Sequence, residues 1–293
     1  MTDVQKAEPV KLKEILEKTT QFFKQKDFDS PRLDAELLLA KALNLRRIDL
    51  YLKYDQPLAE TELQQCRELV RRRSKGEPVA YILEQKDFYG FSFYVDKNVL
   101  IPRPETELLV EAVLERASKQ EPLSILDLGC GSGCIGLSLL KKLENAELQL
   151  LDISSAALEV AKKNAGALQL SERCQFTCGD ASEMHFSGQQ FDVIVSNPPY
   201  ISSDDERVQK EVVEFEPHQA LFATQNGLGA NFSWSKQIIT QLKPGGIMAF
   251  EFGIDQSPHV RKHFEDLGVF SEIKIIKDFS GIDRHILALR KDS

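Results

Sequence analysis

The sequence predicts an α/β fold in which a seven-stranded sheet with an antiparallel last strand follows an N-terminal helical domain. Apolar, β-branched runs alternate with amphipathic segments after residue 100, a pattern typical of a mainly parallel sheet. A glycine-rich turn follows the first of these runs. Only residues 277–283 separate the last two runs. A parallel crossover needs roughly a dozen residues, so these two strands should form an antiparallel hairpin.

The length predicts more than one domain. Single hydrophobic cores rarely grow past ~250–300 residues, and the chain has 293. We divide it into a helical domain at residues 1–85, a β-hairpin linker at residues 86–100 and a sheet domain at residues 101–293.

Residues 1–85 read as helices without a catalytic constellation of their own. Pro31 after Ser30 is typical of a helix start, with Ser30 as the N-cap. Thr61 is the predicted N-cap of a helix that ends near Arg73, with Gln64 at the capping-box position. The basic cluster at residues 71–75 is interpreted as a solvated helix end, or alternatively as a surface that meets an acidic partner.

Aromatic residues alternate around Gly90 and predict a short hairpin that joins the two domains. Pro102 and Pro104 should hold Arg103 in an extended segment, because a proline disfavours helix in the residue before it. A helix from residue 105 to residue 117 follows. The extended segment with Pro102 and Pro104 precedes this helix and the first sheet strand, and this position suggests that the segment covers a pocket.

The sheet domain contains seven candidate strands. They lie at residues 124–128, 148–151, 174–178, 191–196, 246–251, 271–276 and 284–289. The first strand leads into a small-residue turn, Gly129 to Gly133, and then a helix, so backbone N–H groups and a helix N-terminus can face a ligand. Asp152 ends the second strand, where a carboxylate can accept both hydroxyls of a ribose. This pattern predicts a nucleoside-bearing cofactor but does not separate a nicotinamide dinucleotide from S-adenosylmethionine.

Asn197-Pro198-Pro199-Tyr200 follows the fourth strand. Two consecutive prolines have no N–H to donate and nearly fixed φ, so the turn presents rigid carbonyl oxygens and one Asn side chain beyond the sheet. Such a turn suits the NH2 group of a planar amide or an exocyclic amine. His218 and His285 are interpreted as structural residues rather than general bases.

Composition restricts partners and compartment. The formal net charge of −8 argues against a large nonspecific nucleic-acid footprint, so we expect no direct nucleic-acid binding. No apolar run approaches the ~20 residues of a membrane span, and no basic-plus-apolar leader is evident, so we expect a cytoplasmic protein. We also expect a monomer. The five cysteines are interpreted as small packing residues, with no metal site and no disulfide framework.

Four motifs together resemble the release-factor glutamine methyltransferase family of the PrmC/HemK type. Ile101 to Glu107 reads IPRPETE, Ile125 to Gly136 matches the cofactor loop of the family, Asn197 to Tyr200 is its NPPY motif, and Glu216 to Phe222 matches its EPHxALF segment. NPPY is shared with DNA adenine methyltransferases, whereas IPRPETE and EPHxALF in one chain are much more selective. The resemblance implies a class I methyltransferase Rossmann-like sheet, which agrees with the order of the predicted strands.

This chain departs from the family pattern in two places. Family members often have an aromatic residue after the Asp that follows the third strand, where this chain has Ala181. They commonly have Gly-Gly or Gly-Asp after the ALF phrase, where this chain has residues 223–226 before Gly227. We expect a slightly different loop there and the same chemistry.

The resemblance also implies the reaction. S-adenosylmethionine would donate a methyl group, leaving S-adenosylhomocysteine, to the side-chain amide nitrogen (N5) of glutamine in the Gly-Gly-Gln motif of class I peptide-chain release factors. The helical domain would dock that partner. The expected cofactor-binding residues are Gly129, Cys130, Gly131, Ser132, Gly133, Asp152, Asp180, Ala181 and Asn197. The expected catalytic residues are Asn197, Pro198 and Tyr200, and the expected acceptor-binding residues are Asn197, Pro198, Pro199 and Tyr200.

Two alternatives stay open. An adenine-N6 nucleic-acid methyltransferase would present a similar NH2 group to the same turn, although the acidic balance disfavours it. A noncatalytic cofactor-binding partner of the termination machinery is the other, and the intact NPPY turn disfavours it. Methyl transfer from labelled cofactor to release factor or to DNA separates the three.

Overall fold

The computed structural model describes residues 9–118 and 121–292. The chain divides into two compact units, the first ending at Glu84 and the second beginning at Gln85. None of the helices within the described residues has the length and apolar character needed to cross a membrane.

The first unit is helical, as predicted. Its helices are α1 (Leu12–Gln25), α2 (Pro31–Ala42), α3 (Arg47–Leu52), α4 (Glu60–Ser74) and α5 (Val79–Leu83). Pro31 is the first residue of α2, where its missing N–H costs no intrahelical bond. The helices pack around side chains such as Leu16, Phe23, Leu38 and Leu50, all fully buried, so the unit has a hydrophobic core of its own.

The predicted start of α4 was wrong. Ala59, not Thr61, is the N-cap residue, and α4 begins at Glu60. Glu62 supplies the cap from within the helix, because its carboxylate accepts the Ala59 N–H at 2.8 Å. A capping box has two hydrogen bonds, and only one of them forms here. Glu62 makes that bond, whereas Ala59 has no side-chain oxygen to make the other.

The basic cluster at the end of α4 is solvated only in part, since Arg71 and Lys75 are exposed. Arg73 is buried, pairs with Asp34 at 2.9 Å and lies 3.7 Å from the centre of the Phe28 ring. Arg72 pairs with Glu77 at 2.5 Å. Arg73 therefore ties α4 to α2, since a buried guanidinium needs a carboxylate partner.

The predicted hairpin opens the second unit. Strands β1 (Lys86–Phe88) and β2 (Phe91–Phe93) pair antiparallel, which confirms the hairpin. Tyr89 and Gly90 form its two-residue turn with φ of 50° and 77°. Two positive φ values are typical of the turn type whose twist matches that of paired strands.

The second unit carries the large sheet. Its strands are β3 (Leu123–Leu128), β4 (Ala146–Asp152), β5 (Cys174–Cys178), β6 (Phe191–Ser196), β7 (Leu242–Glu251), β8 (Phe270–Lys277) and β9 (Asp283–Arg290). Its helices are α6 (Glu107–Arg116), α7 (Cys134–Lys142), α8 (Ser155–Ala167), α9 (Lys210–Phe215), α10 (His218–Leu221), α11 (Gly229–Ile238) and α12 (Ser257–Asp266).

The sheet has the order β5-β4-β3-β6-β7-β9-β8. Six strands run parallel and β9 runs antiparallel between β7 and β8, which confirms the predicted class I methyltransferase sheet and its final hairpin. The strand order reverses between β3 and β6. In open α/β sheets ligands bind beyond the carboxyl ends of strands at such a reversal, so this edge is where a site is expected.

Both faces of the sheet are covered. Ile125 and Val193 belong to one buried cluster, and their neighbours Leu126 and Ile194 belong to the other. Side chains alternate between faces along a strand, so this continuous apolar pattern is that of a sheet buried on both sides. The polar groups that remain at the carboxyl edge are therefore candidates for function.

Candidate active site

A cavity of about 470 Å³ lies beyond the carboxyl ends of β3, β4, β5 and β6. Its walls come from four strand-end loops, the IPRPETE segment, the ALF loop and α11. The predicted site residues that line it are Gly129, Cys130, Gly131, Ser132, Asp152, Asp180, Ala181, Asn197 and Pro199. The fold thus brings together nine residues that lie up to 70 positions apart in the sequence.

The turn after β3 forms the floor of this cavity. Gly129 and Gly131 have φ of 64° and 54°, a region that favours glycine. A Cβ at Gly129 would lie 2.9 Å from the Trp234 ring, so the backbone and that ring are in close contact. A side chain at Gly131 would meet no atom within 4 Å, so its backbone borders open space. Backbone at this position is therefore free to contact a ligand.

Asp152 joins this turn to the end of β4. Its Oδ2 accepts the Gly131 N–H at 2.9 Å, and its Oδ1 accepts the Ser154 N–H at 2.9 Å. Burial raises the pKa of the Asp152 carboxyl, although these N–H groups act in the opposite direction. Each oxygen keeps a further lone pair, so the carboxylate is oriented and can still accept bonds from a ligand.

Gly133 does not line the cavity. It precedes α7 with φ of 77°, and a Cβ there would lie 3.0 Å from Leu137 and 3.2 Å from Leu150. Beneath the turn, Oδ2 of Asp127 accepts the Gly136 N–H at 2.9 Å. Burial raises the pKa of Asp127 to about 7. Gly133 and Asp127 thus shape the turn from the core side.

The turn after β5 forms the wall beyond Asp152. Oδ1 of Asp180 accepts the backbone N–H and the hydroxyl of Ser182, at 2.8 and 2.6 Å, which closes a tight turn. Ala181 is buried and supplies no ring. Trp234 from α11 and Phe222 from the ALF loop line the same cavity. Sequence reasoning missed these aromatic residues, because neither lies next to a strand end.

Asn197 stands where this cavity meets a second one. The second cavity has a volume of about 1040 Å³ and is lined by Asn197, Pro198 and Tyr200, together with charged residues that include Asp205 and Arg207. Pro199 lines only the first cavity and Pro198 only the second. The NPPY turn therefore lies between the two cavities, and Asn197 lines both.

A buried hydrogen-bond network supports the turn. Glu251, fully buried at the end of β7, accepts the Thr106 hydroxyl at 2.6 Å and the Tyr200 hydroxyl at 3.0 Å. Its Oε2 also lies 3.3 Å from Nε2 of His285. Nδ2 of Asn197 donates to Oγ1 of Thr106 at 3.3 Å. Burial raises the pKa of Tyr200, and the charge of Glu251 adds to this, so its phenol is neutral.

The two family motifs outside the strands contact each other. Glu216 is buried, and its Oε2 accepts the Ile101 N–H at 3.0 Å while its Oε1 pairs with Arg103 at 2.5 Å. Arg103 lines both cavities. The EPHxALF segment thereby holds the IPRPETE segment in place over the site.

His218 and His285 both make contacts within the second unit. Nε2 of His218 lies 2.8 Å from the Val213 carbonyl oxygen, and its ring packs against Phe222. His285 is buried against Glu251. Within residues 9–118 and 121–292, no group of three or more His, Cys, Asp or Glu side chains is arranged to hold a metal ion.

Asn164 is a further site-supporting residue that the sequence reasoning missed. It is buried on α8, donates to the Ser132 and Tyr94 carbonyl oxygens at 2.9 and 3.0 Å, and accepts the Tyr94 N–H at 2.7 Å. It thus fixes the turn after β3 to the chain that follows the hairpin. A polar residue on the apolar side of α8 was the available signal.

Comparison with known proteins places the chain among methyltransferases. Residues 14–83 match the family model of the PrmC N-terminal domain, and residues 104–221 match that of the methyltransferase small domain. A crystal structure of a methyltransferase from Pyrococcus furiosus superposes with a TM-score of 0.51 at 17% identity, covering 79% of this chain and 99% of that one. That likeness supports the fold.

Relatives match over nearly the full length. Release factor glutamine methyltransferases are 40% identical in Chlorobaculum tepidum, 39% in Rhodopirellula baltica and 41% in Leptospira interrogans. The matches cover 92%, 99% and 94% of this chain and 94%, 100% and 97% of the relatives, respectively. With both motif-bearing segments and the helical N-terminal region included in these matches, the chain belongs to the release factor glutamine methyltransferase family.

Proposed function

We propose that this protein transfers a methyl group from S-adenosylmethionine to N5 of the glutamine in the Gly-Gly-Gln motif of class I peptide-chain release factors. The observation that carries the proposal is the position of Asn197, which lines both cavities at the NPPY turn. One cavity would take the methyl donor and the other the acceptor glutamine. The reaction would act on translation termination in the cytoplasm.

The first cavity fits the donor. Its volume lies within the ~300–1,000 Å³ common for small-molecule sites. Asp152 would hold the ribose hydroxyls, the backbone from Gly129 to Ser132 would lie along the methionine part, and Asp180 with Ala181 would face the adenine. Trp234 and Phe222 supply apolar ring surface in place of the aromatic residue absent at position 181. When bound, S-adenosylmethionine supplies an electrophilic sulfonium methyl group.

Positioning would supply most of the catalysis on the acceptor side. An amide nitrogen is a weak nucleophile because its lone pair is delocalised into the carbonyl, so orientation matters strongly. Oδ1 of Asn197 and the Pro198 carbonyl oxygen would accept the two amide N–H bonds and stabilise positive charge that grows on nitrogen. The Tyr200 ring would pack against the flat amide. Its neutral hydroxyl, bound to Glu251, is not a base, and the amide proton would leave after transfer.

The first unit is proposed to dock the release factor. It has a hydrophobic core of its own, and α3 presents apolar side chains to solvent. Ile48, Tyr51 and Leu52 are 58%, 47% and 77% exposed. Exposed apolar side chains that lie together are typical of surfaces that meet another protein.

Transfer from methyl-labelled S-adenosylmethionine tests the proposed function. Purified release factor should take up label, and a release factor whose Gly-Gly-Gln glutamine is replaced by alanine should not. Double-stranded and single-stranded DNA serve as competing acceptors. Label on DNA, equal label on the alanine variant, or binding of cofactor without any transfer would each reject the proposal.

A further inference from the structure

Glu251 is a buried carboxylate that neither the donor nor the acceptor needs to touch. It ends β7 with no exposed surface and lies among three potential donors, Thr106, Tyr200 and His285. Burial alone would raise its pKa. The hydrogen bond and charge of His285, the Thr106 hydroxyl and the charge of Arg284 outweigh burial and lower the pKa, so the group is ionised.

The single hydroxyl proton of Thr106 determines which end of the Asn197 amide, NH2 or oxygen, faces Thr106. A hydroxyl has one proton, and that of Thr106 is committed to the Glu251 carboxylate at 2.6 Å. Only lone pairs of Oγ1 remain to face Asn197 at 3.3 Å. The group that Asn197 turns toward Thr106 must therefore be its NH2, which leaves Oδ1 as the group available to the acceptor. The opposite orientation would set oxygen against oxygen at Thr106 and NH2 against the NH2 of the acceptor.

We infer that Glu251, through the single proton of Thr106, is a positioning residue that makes Asn197 present an oxygen rather than an NH2 group to the methyl acceptor. The same carboxylate binds the Tyr200 hydroxyl with its other oxygen, so both ends of the NPPY turn are held from β7. This inference rests on the proposed function, in which Asn197 accepts a bond from the reacting amide.

Thr106 offers a matched pair of variants. Thr106→Val removes the hydroxyl at nearly constant volume, and Thr106→Ser keeps it. Losing one preorganised acceptor typically lowers a rate about 10²–10³-fold, and a disoriented amide should forfeit part of that, so we expect kcat to fall tenfold or more in Thr106→Val. Thr106→Ser should lose several-fold less. Thr177→Val makes the same change on β5, outside both cavities, and should leave kcat unchanged.

A double-mutant cycle separates positioning from simple destabilisation. If Thr106 acts through Asn197, Thr106→Val should cost less than about threefold once Asn197→Ala is present, because coupled residues are not additive. Glu251→Gln should behave like Thr106→Val in both backgrounds. Equal costs of Thr106→Val in the two backgrounds, or equal kcat for its Val and Ser variants, would overturn the inference.

A readout that does not depend on transfer keeps the inference separate from the proposed function. The side-chain NH2 signals of Asn197 in ¹⁵N-labelled protein, identified by their loss in Asn197→Ala, should shift in Thr106→Val and Glu251→Gln but not in Thr177→Val. Unmoved signals in the two network variants would refute the orientation. If these signals shift while wild-type protein transfers no label to release factor, the orientation stands and the proposed function fails.

Discussion

Replacement of Asn197 by alanine should slow methyl transfer without unfolding the protein. Asn197 lines both cavities, and the change removes its Oδ1 acceptor and the Nδ2 donor to Thr106. The effect should appear mainly in kcat, since Oδ1 is proposed to bind a nitrogen whose positive charge grows only during transfer. Affinity for S-adenosylmethionine should change much less.

The two hydrogen bonds lost in Asn197→Ala affect different quantities, one the rate of transfer and the other the stability of the fold. One preorganised hydrogen bond to a developing charge is worth about 10²–10³ in rate, or ~2.7–4 kcal/mol. The bond to Thr106 is a long one between neutral groups at 3.3 Å, so its loss should cost stability only about 0.5–1 kcal/mol. The variant should therefore stay folded while its rate falls by at least two orders of magnitude.

Single-turnover methylation of release factor at saturating cofactor measures this rate. Asn145→Ala is the matched control, because Asn145 is exposed and directly precedes β4 at the opposite edge of the sheet. Its rate should equal that of the wild type. If Asn197→Ala stays within about threefold of wild type, a barrier change of only ~0.65 kcal/mol, Asn197 has no part in the mechanism.

Three further predictions follow from the site and the units. Asp152→Ala should weaken S-adenosylmethionine binding at least tenfold, given ~1.5–3 kcal/mol for hydrogen bonds to a charged group, and unchanged affinity by calorimetry would remove Asp152 from the donor site. A chain that begins at Lys86 should still bind cofactor but methylate intact release factor with a much lower kcat/KM, and full kcat/KM in the folded shortened chain would reject the docking role. The pKa of Asp127 is raised from 3.8 to about 7 in the folded state, so the folded state binds more protons than the unfolded state between those values and loses stability as pH rises through that window. Denaturant unfolding from pH 4 to pH 7 should therefore show Asp127→Asn gaining stability relative to wild type, and a constant difference across that range would contradict the burial effect.

Asn197→Asp illustrates how tertiary contacts change an expectation. From sequence alone the aspartate variant should keep more activity than the alanine variant, unless burial of its charge disrupts the turn, because it retains an acceptor oxygen. In the structure, the hydroxyl of Thr106 donates its single proton to Glu251. A second carboxylate at position 197 would compete for that proton beside a buried negative charge, so Asn197→Asp should be no more active than Asn197→Ala.

Local patterns in the sequence were sufficient for the second unit's architecture. Strands such as 191–196 were predictable because a run of apolar, β-branched residues suits a sheet covered on both faces. The short link at residues 277–283 left an antiparallel hairpin as the only geometry for β8 and β9. Asp152 and Asn197 could be placed at the ligand edge because both directly follow parallel strands.

The first residue of α4 and the burial of Arg73 were less predictable from the sequence. Thr61 was the predicted N-cap of α4, whereas the helix begins at Glu60, one residue before Thr61. Arg73 reads as a surface residue in a basic cluster, yet Asp34 and the Phe28 ring make it part of the interior. The residues that bind these groups are Glu62 for the Ala59 N–H and Asp34 for Arg73. Nothing in the sequence around either residue identifies it as that partner.

The sequence by itself determined the sheet class, the glycine turn, the NPPY turn and the resemblance to the family, because each depends on residues that are adjacent in the chain. Only the tertiary structure decided that Pro198 and Pro199 face different cavities, that Gly133 faces the core, and that Glu251 lies behind Asn197. Thr106 and Glu251 are 145 residues apart, and no periodicity or motif spacing encodes their contact. It exists because the carboxyl ends of β6 and β7 and the segment before α6 converge at one edge of the sheet, where a buried carboxylate must find donors.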